Sequence, residues 1–146
     1  MSLSIKRQIM DRIVANLGTL AAAGVVREVR RELDPLASQG KLPLLLVYDG
    51  EEGQIEQDNF GRTYQFPVAV KILIETKRNL GEAKDEVVAE AQRVIESDVK
   101  LGGLAYEVND GSEQPYINEL GSPVGGALLF WTVTYRRKLG DPYTTY

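Results

Sequence analysis

The sequence contains no cysteine and no histidine among its 146 residues. Without cysteine there is neither a disulfide nor a thiolate metal ligand, and the redox compartment is left open. Without histidine the chain lacks the usual general base near neutral pH, the commonest zinc ligand and every Ser-His or Cys-His pair. No credible set of acid, base and nucleophile is visible among the remaining residue types. We therefore expect a protein that is not an enzyme and that needs no cofactor, no metal and no catalytic residue.

Long apolar runs and a broad basic stripe are also missing. No apolar run approaches the roughly 18–20 residues that a membrane span needs, and the opening "MSLSIKRQIM" has no signal-peptide core. The formal net charge is −4, from 17 cations and 21 anions, which argues against nucleic acid as the main partner. We expect no membrane partner, no specific nucleic-acid partner and synthesis in the cytosol. The length and ordinary composition predict one domain over 1–146.

The spacing of apolar residues predicts two helices. In "SIKRQIMDRIVANLG" apolar residues recur every four positions from Ile5 to Leu17, with Ser4 placed to cap the helix and Gly18 to end it. A second helix is predicted over "EAKDEVVAEAQRVIES", where acids occupy the first turns. Its apolar stripe comprises Val87, Ala91, Val94 and Ile95.

Six strands are predicted from alternating or continuous apolar runs. "VVREVRREL" mixes arginine with valine, as an edge or solvent-facing strand does, whereas "LPLLLVYDG" and "GGALLFWTVTYRR" are apolar enough to be interior. "RTYQFPVAVKILIE" alternates strictly, and Pro67 predicts an edge or a bulge at that end. "LGGLAYEVNDG" and "PYINEL" predict two short strands joined by a turn, and the acidic segment between Gly50 and Gly61 is typical of a mobile loop. This order predicts an α+β fold, with two helices packed on one face of a mostly antiparallel, mixed sheet.

Charged clusters of opposite sign are the candidate functional residues. The acids at 49–58 have the chemistry to hold a hard cation, but the EF-hand spacing is absent and a solvated acidic loop explains the same residues. The cations Arg136, Arg137 and Lys138, joined by the arginines at 27–31, are suited to phosphate or to an acidic patch of another protein. A charged strand end is the plainer interpretation. If the basic cluster of one copy met the acidic loop of the next, the interface would be head-to-tail and would close into a ring.

The final segment "LGDPYTTY" extends this hypothesis. Pro142 lacks a donor and ends the sheet, while Tyr143 and Tyr146 have a side chain that is frequent at interfaces. Residues 139–146 are therefore predicted to form a C-terminal interface arm. A frayed terminus is the alternative interpretation.

The succession of segments resembles the tail terminator, or tail-completion, proteins of long-tailed phages and prophages. A leading amphipathic helix is followed by "LPLLLVYDGEE", a long alternating strand, a helix leading into "DVKLGGLAYEV" and the ending "GGALLFWTVTYRRKLGDPY". The similarity spans nearly the whole chain, and it depends on element order and on the segments Leu101–Leu104 and Trp131–Pro142. It includes no catalytic signature.

The resemblance implies that the chain has a structural role in a virion. Members of the family form a six-membered ring on the end of the tail tube, stop its growth and dock the tail to the neck of the head. The expected partners are other copies of the chain, the tail tube protein and a neck or connector protein, and the expected location is the tail or neck of the virion, assembled in the host cytoplasm. The residues expected at a subunit or tube interface are Asp49, Glu51, Glu52, Asp58, Arg136, Arg137, Lys138, Asp141, Tyr143 and Tyr146.

Two other classes of function stay open at this point. Another neck or head–tail adaptor of the same particle would share the ring and differ only in its partners. A small α+β module that binds a ligand or nucleic acid is the more distant alternative, and for nucleic acid it would need a basic sheet face with exposed aromatic residues.

Overall fold

The structure, a computed structural model, describes residues 3–31, 43–75, 80–117 and 124–145. Two α-helices, one short 3-10 helix at Leu101–Gly103 and six strands lie within these ranges. The α-helices and strands are α1 Ile5–Ala22, β1 Glu28–Arg31, β2 Leu44–Asp49, β3 Gly53–Gln57, β4 Gly61–Glu75, α2 Leu80–Glu96, β5 Glu107–Ile117 and β6 Val124–Lys138. The strands form one sheet in the order β1-β2-β4-β6-β5, with β3 also paired to β4. Only the β1–β2 pair is parallel. The predicted α+β class is confirmed, as are an edge position for β1 and interior positions for β2 and β6.

The two longest strands, β4 and β6, are the centre of the sheet. They pair without interruption from Gly61 opposite Lys138 to Glu75 opposite Val124. On the other edge of β4, β2 and β3 lie end to end, one opposite residues 68–73 and the other opposite residues 62–65. Pro67 falls between them, where the carbonyl of Pro67 accepts from the Gly50 amide at 2.8 Å. The backbone nitrogen of Pro67, which has no hydrogen to donate, therefore faces the gap between β2 and β3. No ladder hydrogen bond is lost there, so proline is tolerated in this interior strand.

Both helices pack on one face of this sheet, as predicted. Ser4 caps α1 by accepting from the Arg7 amide, and the apolar stripes of α1 and α2 join one core with the sheet. The sheet side of that core includes Val47, Phe66, Val70, Trp131 and Val133. The opposite face carries a smaller cluster of Leu44, Leu46 and Leu73.

Three predicted boundaries are wrong. Helix α1 continues past Gly18 to Ala22, because Leu20 is still on its buried stripe. The predicted mobile loop at 50–61 contains β3, whose five residues are all exposed, so apolar periodicity gave no sign of it. The predicted pair of short strands is one strand, β5, and the Asn-Asp-Gly signal lies at a register shift between Asp110 and Glu113. A bulge absorbs extra residues in one strand without reversing the chain.

Candidate functional site

One end of the sheet gathers most of the residues singled out in the sequence. We call it the turn end: the β3–β4 turn at 58–60, the adjacent ends of β4 and β6, and residues 139–145. The Leu139 amide donates to the Phe60 carbonyl at 3.0 Å, so the two strand ends are held together. This is also the end over which the N-terminus of α1 lies.

The C-terminal segment folds back onto its own chain. The Lys138 amide donates to the Thr144 carbonyl at 3.1 Å, and Thr145 forms a β-bridge with Arg137. The Ile5 amide, one of the helix N–H groups that lack an intrahelical acceptor, donates to the Pro142 carbonyl at 3.0 Å. In the single chain, the predicted interface arm is thus a cap on α1 and a short extension of the sheet, as far as Thr145.

Asp49 is half-buried, and 12% of its side chain is exposed. Lys6 of α1 and Arg31 of β1 each approach its carboxylate at 3.0 Å. Burial by itself raises the pKa of Asp49, but the hydrogen bonds from Lys6 and Arg31 outweigh it, so the pKa lies below the usual range. Asp49 therefore joins a helix, an edge strand and β2 within one chain.

Glu52 and Tyr135 form the next contact toward the turn end. The Tyr135 hydroxyl donates to a Glu52 carboxylate oxygen at 2.8 Å. Burial, followed by the neighbouring Glu52 carboxylate, raises the pKa of Tyr135. Glu51, beside it in sequence, is exposed.

Asp58 shapes the β3–β4 turn. Its Oδ1 atom accepts from the Phe60 and Gly61 amides, each at 2.8 Å, and its other oxygen pairs with Arg136. The two turn amides, with the arginine after them, lower the pKa of Asp58. The structure thus brings two predicted interface residues of opposite charge together, but inside one chain.

Arg137 lies on the helix-covered face of β6. Its guanidinium sits 4.6 Å from the ring centre of Tyr64 and donates to the Tyr64 hydroxyl. Tyr64 in turn stacks on Tyr135 with 5.6 Å between ring centres. The hydrogen bond from Arg137 lowers the pKa of Tyr64.

The remaining predicted residues lie on or near the surface. Lys138 is exposed, and Asp141 accepts from the Tyr143 amide at 2.9 Å. The Thr144 side chain and that amide lower the pKa of Asp141. Tyr143 is 52% exposed, and Tyr146 lies outside the described residues. The use of these residues between copies stays a prediction, and each such contact would form in addition to the pairs already made within the chain.

Sequence reasoning missed the exposed apolar residues of this end. Phe60 and Leu139 are 67% and 45% exposed, and Ile55 and Tyr106 are exposed nearby. The available signal was a large apolar residue in an otherwise polar segment, as with Phe60 in "QDNFG". Such residues at a folded surface are enriched at protein interfaces.

An open cleft lies on the sheet face away from the helices. It has a volume of about 320 Å³. Hydroxyl and amide groups of Thr63, Gln65 and Thr134 form its floor, and Ile55 and Tyr106 form its apolar walls. Its charged groups are Glu56, Asp58, Glu107 and Arg136. The cleft is therefore mixed in character and mildly acidic.

Within the described ranges, no group of three or more carboxylates is placed to hold a metal ion. Asp49, Glu52 and Asp58 have separate partners, as described above. Neither helix is of a length and apolarity that would carry it across a membrane, in the part of the chain that the structure describes.

No protein-family model matches the chain, and comparison with curated proteins finds no significant match.

Proposed function

We propose that the chain is a ring-forming structural protein of the tail-terminator type, which caps the end of a phage tail tube and docks it to the neck. The resemblance of the sequence to tail terminator proteins supports a long-tailed phage or prophage particle as the place where the chain acts. In this role the chain would act in the virion, with further copies of itself, a tail tube protein and a neck protein as partners.

A cluster of exposed apolar side chains is the single observation that carries an assembly function. Of the large apolar residues exposed in the described ranges, five lie at the turn end or on the adjoining cleft. The other two are Leu3, which precedes the helix whose N-terminus lies over that end, and Val99, which belongs to neither. The five are Ile55, Phe60, Tyr106, Leu139 and Tyr143. Arginines and aromatic residues side by side are the usual composition of interface hot spots. This favours a surface that another protein covers.

The test combines native mass spectrometry over a range of concentrations with electron microscopy of tube ends. We expect closed rings of one size, six copies on the resemblance, and binding of the chain to the ends of tail tubes. The variant Phe60→Ser with Leu139→Ser should weaken both by at least about tenfold, since hot-spot truncations cost about 2 kcal/mol or more.

Val99→Ser is the matched control, because Val99 is an exposed apolar residue outside the cluster. It should leave ring formation and tube binding unchanged. A wild-type chain that neither forms rings nor binds tube ends would overturn the proposed function.

A small binding module is the second candidate, and the cleft is the observation that favours it. A floor of hydroxyl and amide groups between apolar walls suits a small polar ligand. Thr134→Val would remove one hydroxyl of that floor. Ligand-dependent thermal stabilisation of the wild-type chain, lost in this variant, would favour the module over the ring protein.

A further inference from the structure

Two arginines face each other at the turn end. Arg62 of β4 is directly opposite Arg137 of β6 in the strand register, on the face that carries Tyr64 and Tyr135. Both side chains are half-buried. Like charges directly opposite one another destabilise an antiparallel pair. The sheet by itself therefore disfavours this arrangement.

Both guanidinium groups approach the same neutral group, the phenol of Tyr64. Arg137 donates to its hydroxyl, and Arg62 is close enough to the same hydroxyl to lower the pKa of Tyr64 together with Arg137. The Nε atom of each arginine is shielded from solvent and has no hydrogen-bond acceptor among the described residues. The ring of Tyr64 covers the flat face of the Arg137 guanidinium. The bond to the Tyr64 hydroxyl uses few of the N–H donors that lie in the planes of the two guanidinium groups.

Three other arginines differ from this pair in having an acidic partner. Arg12, Arg31 and Arg136 each form an ion pair with an aspartate, namely Asp98, Asp49 and Asp58. Within the described ranges, neither Arg62 nor Arg137 forms an ion pair. Two like charges are thus held together, and no acid of the described residues forms an ion pair with either of them.

Two acids in this part of the molecule, Glu52 and Asp141, already have other partners. Glu52 accepts from Tyr135. Asp141 lies within electrostatic range of Arg137, but its carboxylate accepts from Tyr143 and Thr144. The chain offers no described carboxylate that is placed between the two arginines.

We propose that Arg62 and Arg137 form a clamp for one oxyanion with two acceptor oxygens, a carboxylate carried by a second copy of this chain. The assignment to a second copy rests on the proposed function. Guanidinium forks bind carboxylates through paired, charge-assisted hydrogen bonds. One anion between the two groups would satisfy unused donors and remove the repulsion between them.

The surroundings favour a protein carboxylate over a free ion. The next positions outward along the two strands lead to Phe60 and Leu139, which are exposed. An apolar rim around a charged pair excludes water when another protein covers it. The chain has 21 acids against 17 cations, and α2 displays the exposed acids Glu82, Asp85 and Glu86. A second copy therefore has the complementary charge.

Arg62→Gln is the decisive variant, because it removes one charge and leaves the Arg137–Tyr64 stack in place. The clamp predicts opposite effects on two measurements. The melting temperature of the isolated chain should rise or stay unchanged, since a repulsion is relieved, while the dissociation constant of the oligomer should increase about ten- to hundredfold. Arg62→Lys keeps the charge but loses the fork, so its dissociation constant should lie in between.

Arg93→Gln is the matched control, because Arg93 is paired with Glu90 on an exposed turn of α2. It should leave the dissociation constant unchanged. If Arg62→Gln destabilises the isolated chain and leaves association at the wild-type level, the arginine has a structural role and the clamp is wrong.

An anion titration separates the clamp from the proposed function. Acetate and inorganic phosphate are added to the 15N-labelled chain, and the arginine Nε–Hε signals are followed by NMR. The signals of Arg62 and Arg137 should shift saturably, that of Arg93 should not, and Arg62→Gln should abolish the shift at Arg137. No saturable shift at either arginine overturns the clamp, whether or not rings form.

The two measurements also distinguish the sources of the anion. Saturable shifts together with weaker association of Arg62→Gln support a carboxylate of a second copy. Saturable shifts with unchanged association overturn that source and leave a free oxyanion as the ligand. If the wild-type chain forms no oligomer, the proposed function fails and the assignment to a second copy fails with it, and the titration alone decides whether the arginines bind an anion.

Discussion

Gly126 is a residue of β6 whose backbone lies very close to the facing strand β4. A Cβ atom built on it would lie 1.7 Å from the Ile72 carbonyl oxygen and 2.8 Å from the Ile72 carbonyl carbon. These are backbone atoms of the facing strand, which cannot rotate away. Gly126 is therefore required for β4 and β6 to pair over their whole length.

The variant Gly126→Ala should lower the free energy of unfolding by about 3 kcal/mol, the upper part of the range for overpacking in a buried region. Chemical denaturation followed by tryptophan fluorescence measures this. Gly53→Ala in β3 is the matched control, since an added Cβ there meets nothing within 4 Å, and it should change stability by less than about 0.5 kcal/mol. Equal effects of the two substitutions would show that the close approach does not limit the pairing.

Asp49 is a second single residue with a testable effect: it makes the stability of the folded chain depend on pH. Its pKa in the folded chain is lowered by Lys6 and Arg31 against the effect of burial. A carboxylate with a lowered folded pKa contributes stability above its unfolded pKa of about 3.9, and that stability is lost as the pH falls through the folded pKa. Arg12 and then Asn16 lower the pKa of Asp98 in the same way, so the wild-type chain should lose stability below about pH 4.

Asp49→Asn removes the first of these contributions. We expect a loss of about 1–3 kcal/mol in the free energy of unfolding at pH 7, because hydrogen bonds to charged groups are of that size. Between about pH 5 and pH 2 its melting temperature should fall less steeply than that of the wild type. Asp11→Asn, at an exposed aspartate 4.0 Å from Arg7, is the control and should follow the wild-type curve. If the melting temperature of Asp49→Asn falls with pH as steeply as that of the wild type, Asp49 does not contribute to the loss of stability in acid.

At the scale of elements, the sequence predicted those that bury a stripe or a face. The stripe from Ile5 to Leu17 gave α1, and the strict alternation from Tyr64 to Ile74 gave β4, because burial imposes a period on the residues that pack. Strand β3 has no such period: backbone pairing with β4 holds it, and all its side chains are exposed. The fold class therefore followed from apolar spacing, but the polar hairpin did not.

The candidate site was predictable in part for a related reason. The sequence shows that Asp58 and Arg136 are opposite in charge, but only the β4–β6 register brings them together at the turn end. The β4–β6 register also places Arg62 opposite Arg137. Pairs that depend on long-range strand register carry no signal in local sequence.

Deletion of the C-terminal segment tests whether this element stabilises the isolated chain. Deletion of residues 140–146 removes the Pro142 carbonyl that accepts from Ile5 and the bonds of the tail to β6. We expect a loss of about 1–2 kcal/mol, the value of one or two hydrogen bonds and a helix cap. Hydrogen exchange should become faster at the Ile5 and Lys138 amides.

Pro142→Ala is the control for the tail deletion, because it keeps the carbonyl, and it should preserve slow exchange at Ile5. If the tail is an arm that contacts only a neighbouring copy, as the sequence predicted, the deletion will leave the isolated chain as stable as the wild type.

At the scale of the whole molecule, the question is whether the opposite charges of the turn end join parts of one chain or separate copies. The sequence predicted contacts between copies, with Arg136 and Arg137 of one chain against the acids at 49–58 of the next. In the structure, Arg136 pairs with Asp58 of its own chain. Charge reversal at Arg136 therefore acts on the isolated chain as well as on any assembly.

A mixing experiment separates the two possibilities. Asp58→Arg and Arg136→Asp each place like charges at this pair, so each alone should lower the melting temperature of the isolated chain. If the pair joins copies, mixing the two variants restores attraction at every interface of an alternating ring, and association recovers. If the pair lies within one chain, mixing restores nothing, whereas combining both substitutions in one chain restores the attraction.

We expect the second result, measured by native mass spectrometry of the mixture and by thermal unfolding of the combined variant. The combined variant should recover only part of the wild-type stability, because Asp58 also accepts from the Phe60 and Gly61 amides, and arginine does not replace those bonds. Recovery of association on mixing would instead place this ion pair between copies, with the intrachain contact exchanged when the ring closes.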